Sequence, residues 1–122
     1  MKTRLPDNFI QFSREQRSIY EAFEELGRRV HESGPLSERE RRLVKLGIAI
    51  GAYSEGGVHS ATRLALSGDC SAEDVSHVAR LAITTVGWPR AMAAMSWVRD
   101  LLVAPRKRAA RSAGRAARAK RR

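Results

Sequence analysis

LVKLGIAIGAYSEGGVHSATRLAL, residues 43–66, is the stretch that decides the fold of this chain. Its apolar residues recur at three- and four-residue steps, the spacing that places side chains on one face of an α-helix. The tract 54–57, Ser-Glu-Gly-Gly, interrupts the pattern, because paired glycines lower helix propensity. We therefore expect one helix before this tract and a second that starts near it and continues through Leu66. The second helix is expected to bury Val58, Ala61, Thr62, Ala65 and Leu66.

Two capping signals precede this stretch. Ser13 and Gln16 have the spacing of a capping box, and the apolar residues that follow predict one helix over about residues 13 to 31. Ser37 and Glu40 repeat the spacing ahead of the next helix. The N-terminal part of the chain is therefore predicted to be helical.

The sequence after residue 66 predicts two more helices. Ser71 with Asp74 provides an N-cap, and the helix that follows is expected to end at Gly87. Pro89 suits the first turn of a last helix, which stops before Pro105. Since no stretch alternates as a strand would, we predict an all-α fold of about five helices.

The stretch 43–66 continues through SAEDV at 71–75 into LAITTVGWPRAMAAMSW at 81–97. In order and spacing these segments resemble the carboxymuconolactone decarboxylase and AhpD-like (alkylhydroperoxidase-like) superfamily, in its small single-domain members, over about residues 36 to 103. The resemblance implies an AhpD-like helical domain that forms a homo-oligomer, a trimer or a hexamer.

Length and charge divide the chain into a body and a tail. At 122 residues it is expected to form one domain, with an N-terminal helix in 1–35 and an AhpD-like core in 36–104. The net charge of +10 comes mostly from the end, because residues 104–122 hold nine of the 23 basic residues and none of the 13 acidic ones. The body is therefore nearly neutral, and residues 105–122 form a basic low-complexity tail.

In the AhpD branch the resemblance implies a thiol peroxidase site, made of an acidic residue and then a Cys-x-x-Cys-x-x-x-His signature. Aligned without gaps, these positions hold Arg42, Ser54, Gly57 and Ala61. A peroxidatic thiolate, a resolving thiol and a proton relay are all needed for that chemistry. Because the sequence contains only one cysteine, Cys70, no register supplies the pair.

Glu55 and His59 remain as an acid/base pair, four residues apart and therefore on one face of a continuous helix. Arg42 or Arg63 could hold a substrate carboxylate through bidentate hydrogen bonds. The resemblance to small AhpD-like members implies a second histidine two residues after His59. That position holds Ala61, so we predict no metal site and no cofactor.

Cys70 has two interpretations. It lies just before the cap at Ser71, where a helix N-terminus could lower the pKa of an exposed thiol. The favoured alternative is a small residue in a tight loop. Four aromatic and sulfur-containing residues are expected in the core or at a subunit contact, namely Trp88, Met92, Met95 and Trp97.

The tail could bind nucleic acid. Its arginines recur at three- and four-residue steps, so a helix would align them in one basic stripe that could follow phosphates without sequence preference. The alternatives are a solvated tail and, with less support, contact with an anionic membrane surface. The stripe residues are Arg108, Arg111, Arg115, Arg118 and Arg122.

Four functions follow from these observations. The preferred hypothesis is a non-thiol binding or assembly module of the family. The alternatives are a cofactor-free enzyme that uses Glu55 and His59 on a small acidic or lactone-like substrate, the peroxiredoxin-type antioxidant activity of the family, and non-specific nucleic-acid binding. The chain has no apolar run long enough to span a membrane, no secretory signal and a single cysteine, so a cytoplasmic protein is expected.

Overall fold

The computed structural model describes residues 5–103, which form six α-helices and a short 3-10 turn and contain no strand. The predicted all-α fold is confirmed. No helix among these residues has the length and apolarity needed to cross a membrane. The elements are α1 (Asp7–Glu15), α2 (Arg17–His31), α3 (Glu38–Gly51), α4 (Glu55–Ser67), α5 (Ala72–Leu81), the 3-10 turn (Ala82–Thr84) and α6 (residues 88–103).

The N-terminal region contains two helices, so the single helix predicted over residues 13–31 is wrong. The chain leaves helical geometry at Gln16, with φ −120° and ψ 55°. Ser13 lies inside α1, where its hydroxyl donates to the carbonyl of Ile10 at 2.7 Å and caps nothing. Phe9 and Tyr20 hold α1 against α2 through an edge-to-face contact, with their ring centroids 5.8 Å apart.

Serine caps define the starts of α3, α4 and α5. Ser37 and Ser71 each form a complete capping box, with Glu40 and Asp74 respectively, as predicted. Ser54 caps α4 by accepting a hydrogen bond from a backbone N–H of the first turn. Because each cap pairs backbone donors that helix geometry leaves free, it stabilises the helix by about 1 kcal/mol.

The fifth helix ends earlier than the sequence predicts. Regular α-helix stops at Leu81, and the chain tightens into the 3-10 turn before Gly87. Gly87 has a φ of 96°, which glycine adopts without a steric penalty, and this allows the chain to enter α6. Pro89 lies in the first turn of α6, as predicted.

The buried core is built from α3, α4, α5 and α6. On α4, the predicted face is largely confirmed, since Val58, Thr62 and Ala65 are buried while Ala61 and Leu66 are partly buried. Neither α1 nor α2 contributes a buried residue. The apolar core residues are Leu46, Ile50, Val58, Ala65, Cys70, Val75, Ala79, Ala82, Ala91, Ala94 and Val98.

A partly buried histidine at the end of α2 joins this helix to α3. His31 Nδ1 lies 2.8 Å from Lys45 Nζ, and Nε2 contacts the carboxylate of Glu38. Because an ammonium group only donates, Nδ1 is the acceptor, and Nε2 carries the proton that it donates to Glu38. The C-terminal end of α2 is thus tied to α3.

Candidate functional site

The two positions that the resemblance assigns to cysteines form a helix cap. Ser54 is the N-cap of α4, and its hydroxyl accepts a hydrogen bond from the backbone N–H of Gly57 at 3.0 Å. A Cβ atom on Gly57 would lie 2.9 Å from Ser54 Oγ, closer than real Cβ contacts. Ser54 and Gly57 therefore act together as the N-terminal cap of α4.

Glu55, His59 and Asp100 come together beside this cap. His59 Nε2 lies 3.0 Å from Asp100 Oδ2, across α4 and α6. One ligand atom from each of the three side chains lies within 4.8 Å of the other two. The side chain of His59 is 27% exposed and that of Asp100 is 56% exposed, and Glu55 is also exposed. The arrangement is a half-open cluster that can orient an imidazole.

The two candidate substrate-binding arginines are placed differently. Arg42 is engaged on its own helix, where its Nε lies 2.8 Å from Glu38 Oε1. Arg63 is partly buried, and its Nε has no hydrogen-bond partner among residues 5–103. Within that range no hydrogen bond or ion pair joins either arginine to Glu55 or His59. The structure therefore places Asp100 beside Glu55 and His59, and neither candidate arginine bonds to these two residues.

A cleft of about 420 Å³ lies between α3 and the segment formed by α5 and the 3-10 turn. Its lining is mostly apolar and includes neither Glu55 nor His59. At its rim, Arg39 donates two hydrogen bonds to Asp74, at 2.6 and 2.7 Å. This bidentate pair joins α3 to α5.

Asp74 is the most strongly perturbed carboxyl group in the described part of the chain. It accepts hydrogen bonds from Arg39 and from the backbone N–H of Ser71, and these partners hold the pKa of Asp74 well below its usual range. The pairing also raises the pKa of Arg39. Since Asp74 also completes the cap of α5, its role is to stabilise the fold.

Cys70 is buried in the core with 5% of its surface exposed. Burial raises the pKa of its thiol. The interpretation of Cys70 as an exposed thiol with a lowered pKa is therefore wrong, because desolvation of the thiolate outweighs the nearby arginines. Its surroundings match a small core residue in the tight turn before α5.

Tyr53 is an aromatic contact that sequence reasoning missed. It links α3 to α4 with a φ of 56°, and its ring centroid lies 5.2 Å from that of Trp97. The guanidinium carbon of Arg90 lies 4.9 Å from the same ring centroid. Of the four residues predicted for the core or a subunit contact, Met95 and Trp97 pack partly buried against the core, whereas Trp88 and Met92 are exposed.

The chain matches the family model described as the carboxymuconolactone decarboxylase family over residues 17–100. The chain belongs to the carboxymuconolactone decarboxylase family. The match runs from the first residue of α2 into α6, and it agrees with the helical architecture. Comparison with curated proteins and comparison with solved structures each gave no significant match.

In this member of the carboxymuconolactone decarboxylase family, sequence reasoning found two of the three clustered side chains. Glu55 and His59 are visible as a four-residue spacing on one helix. Asp100 lies 41 residues from His59, and no local pattern connects the two. The five tail arginines predicted to contact nucleic acid lie outside the described residues, as does the rest of the segment 104–122.

Proposed function

We propose that this member of the carboxymuconolactone decarboxylase family is a homo-oligomeric binding or assembly module that does not use thiol chemistry. The proposal is supported by the use of Ser54 and Gly57 as a helix cap and by the burial of Cys70, the one cysteine in the sequence. A buried thiol with a raised pKa is a poor nucleophile toward peroxide. What remains is a helical scaffold with a large uncovered apolar surface.

The exposed face of α2 is the observation that carries the proposal. Ile19, Phe23, Leu26 and Val30 are 55%, 66%, 58% and 58% exposed, and their spacing places them on one side of the helix. No residue of α2 is buried within the chain. Monomeric globular proteins rarely leave contiguous apolar patches of this kind uncovered, so another surface is expected to cover it.

The apolar face continues from α2 onto α3. Val30 lines a groove together with Leu36, Val44 and Ile48, and the last three are themselves exposed. We call this surface, from Ile19 to Ile48, the apolar strip. A second copy of the chain is the partner that carries the same strip, so a self-complementary pairing would cover both strips at once. In the hexamer implied by the family resemblance, such a two-fold contact would join two trimers, whereas the trimer itself would need contacts between two different surfaces.

The sedimentation coefficient of the purified full-length chain tests this proposal. We expect an oligomer at micromolar concentration, and we expect Ile19→Asp/Phe23→Asp to sediment as a monomer with the same helical circular dichroism. A monomeric parent protein would refute the assembly role. A variant that stays oligomeric would show that the apolar strip is not the contact.

A second candidate is favoured by the hydrogen bond between His59 and Asp100. A carboxylate that orients an imidazole suits proton transfer, and a small acidic or lactone-like molecule would be the substrate. Because Glu55 and Asp100 are exposed, a neighbouring subunit would have to close the site. Opening of a lactone substrate by the parent protein, and its loss in His59→Gln, would support this alternative.

Peroxide consumption with a thiol reductant tests the antioxidant activity implied by the family. We expect none above background from the parent protein. Robust turnover that Cys70→Ser abolishes would refute the non-thiol proposal.

A further inference from the structure

We propose that Glu55, His59 and Asp100 form a surface site for a first-row divalent cation, with Zn²⁺ as the preferred ion. The inference rests on the geometry of this cluster and is independent of the proposed assembly role. It goes against the expectation, drawn from the sequence, that the chain has no metal site, because that expectation considered histidines alone and did not include Asp100.

The three ligands come from two helices whose relative position is fixed by the core. Glu55 and His59 lie one turn apart on α4, where the intervening Val58 is fully buried. Asp100 lies on α6 between two buried residues, Val98 and Leu101. Packing of these apolar neighbours holds the three side chains at one place on the surface.

The distances between the ligand atoms suit a metal ion. A tetrahedral zinc ion with bonds of about 2.0–2.1 Å separates its ligand atoms by about 3.3 Å. His59 Nε2 and Asp100 Oδ2 are already 3.0 Å apart, and the Glu55 carboxylate lies within 4.8 Å of both. The side chain of Glu55 forms no hydrogen bond or ion pair with another residue in 5–103, so its rotation can close the remaining gap of at most about 1.5 Å without breaking such a contact.

The donor set also selects the class of cation. One imidazole nitrogen with two carboxylate oxygens is a borderline set that favours zinc and neighbouring first-row ions over magnesium and calcium, which prefer oxygen ligands alone. Two carboxylates balance the charge of a divalent ion when the imidazole is neutral. Water would fill the outer positions, because the cluster is half open.

Zinc titration of the untagged, metal-free full-length protein tests the proposal. We expect one zinc ion per chain by competition with a chromophoric zinc chelator, and a visible absorption band when Co²⁺ replaces Zn²⁺. We expect His59→Ala to abolish binding. Loss of an outer-shell partner typically weakens metal affinity by about 10- to 100-fold, so Glu55→Gln and Asp100→Asn should each weaken it by at least about tenfold.

His77→Ala provides the matched control, since His77 is an exposed histidine on α5 outside the cluster. It should bind zinc as the parent does, and circular dichroism should be unchanged in every variant because none of the four side chains belongs to the buried core. Absence of binding by the parent would overturn the proposal. So would binding that survives in His59→Ala, or binding that His77→Ala removes.

Discussion

Phe23 offers the sharpest test of the apolar strip. It is the most exposed large apolar residue on α2, at 66%, and it lies near the middle of the exposed face. Full burial of such a side chain contributes about 1.5–3 kcal/mol. Covering the two thirds of Phe23 that the single chain leaves exposed should therefore contribute about 1–2 kcal/mol for each copy.

A self-complementary contact contains two copies of Phe23. Phe23→Ala should therefore weaken association by about 2–4 kcal/mol, which corresponds to roughly 30- to 700-fold in the dissociation constant. The single chain should be almost unaffected, because α2 contributes nothing to the buried core and alanine is a better helix former than phenylalanine.

Sedimentation velocity over a dilution series gives the dissociation constant. Glu21→Ala is the matched control, since Glu21 lies on the opposite face of α2 and loses only an exposed ion pair with Arg17. An unchanged dissociation constant in Phe23→Ala would refute the strip as the contact. An equal loss in Glu21→Ala would mean that helix stability, and not the apolar face, controls assembly.

Three further predictions concern stability and the tail. Thr62 is fully buried and its hydroxyl has no hydrogen-bond partner among the described residues, so Thr62→Val should raise the free energy of unfolding by about 1 kcal/mol in urea titration; a decrease would reveal a hidden partner. The pKa of Asp74 is lowered in the folded state, so its stabilisation is present above the unfolded pKa of about 4 and is lost as the pH falls. Asp74→Asn should therefore melt at a lower temperature than the parent at pH 7, and the gap should narrow at pH 3; a gap that is constant with pH would contradict this. Deletion of residues 105–122 should abolish salt-dependent binding of duplex DNA in a mobility-shift assay, because the rest of the chain has a net charge of only about +1, and retention by the truncated body would exclude the tail as the binding segment.

The features that could be predicted from the sequence are those that depend on neighbouring residues. The capping boxes at Ser37 and Ser71 are correct because both partners lie within three residues of each other. The same spacing at Ser13 gave a wrong prediction of a cap, since a serine hydroxyl inside a helix can instead donate to a carbonyl of the preceding turn. The two true caps follow chain breaks that contain Gly34 and Gly68, whereas no such break precedes Ser13.

Other features depend on contacts between distant segments. The pairing of Asp100 with His59 arises from the packing of α4 on α6, so a pattern confined to one helix could not reveal it. The early end of α5 has a similar cause, because Ala82 is buried in the core while the chain there tightens into a 3-10 turn. Sequence spacing therefore identified two of the three side chains of the candidate site, and the fold supplied Asp100.

The start of α4 is where structural and chemical demands compete. A Cys-x-x-Cys pair at positions 54 and 57 would replace the serine hydroxyl that caps the helix, a cap worth about 1 kcal/mol. It would also put a Cβ atom at position 57 only 3.2 Å from the Cβ atom of residue 54. Gly57 therefore has a structural role of its own, because its lack of a side chain lets the Ser54 hydroxyl reach the backbone of the first turn of α4. This helix start presents Glu55 and His59 on the side that faces Asp100, so the cap that occupies the thiol positions also holds in place the groups proposed here to bind a cation.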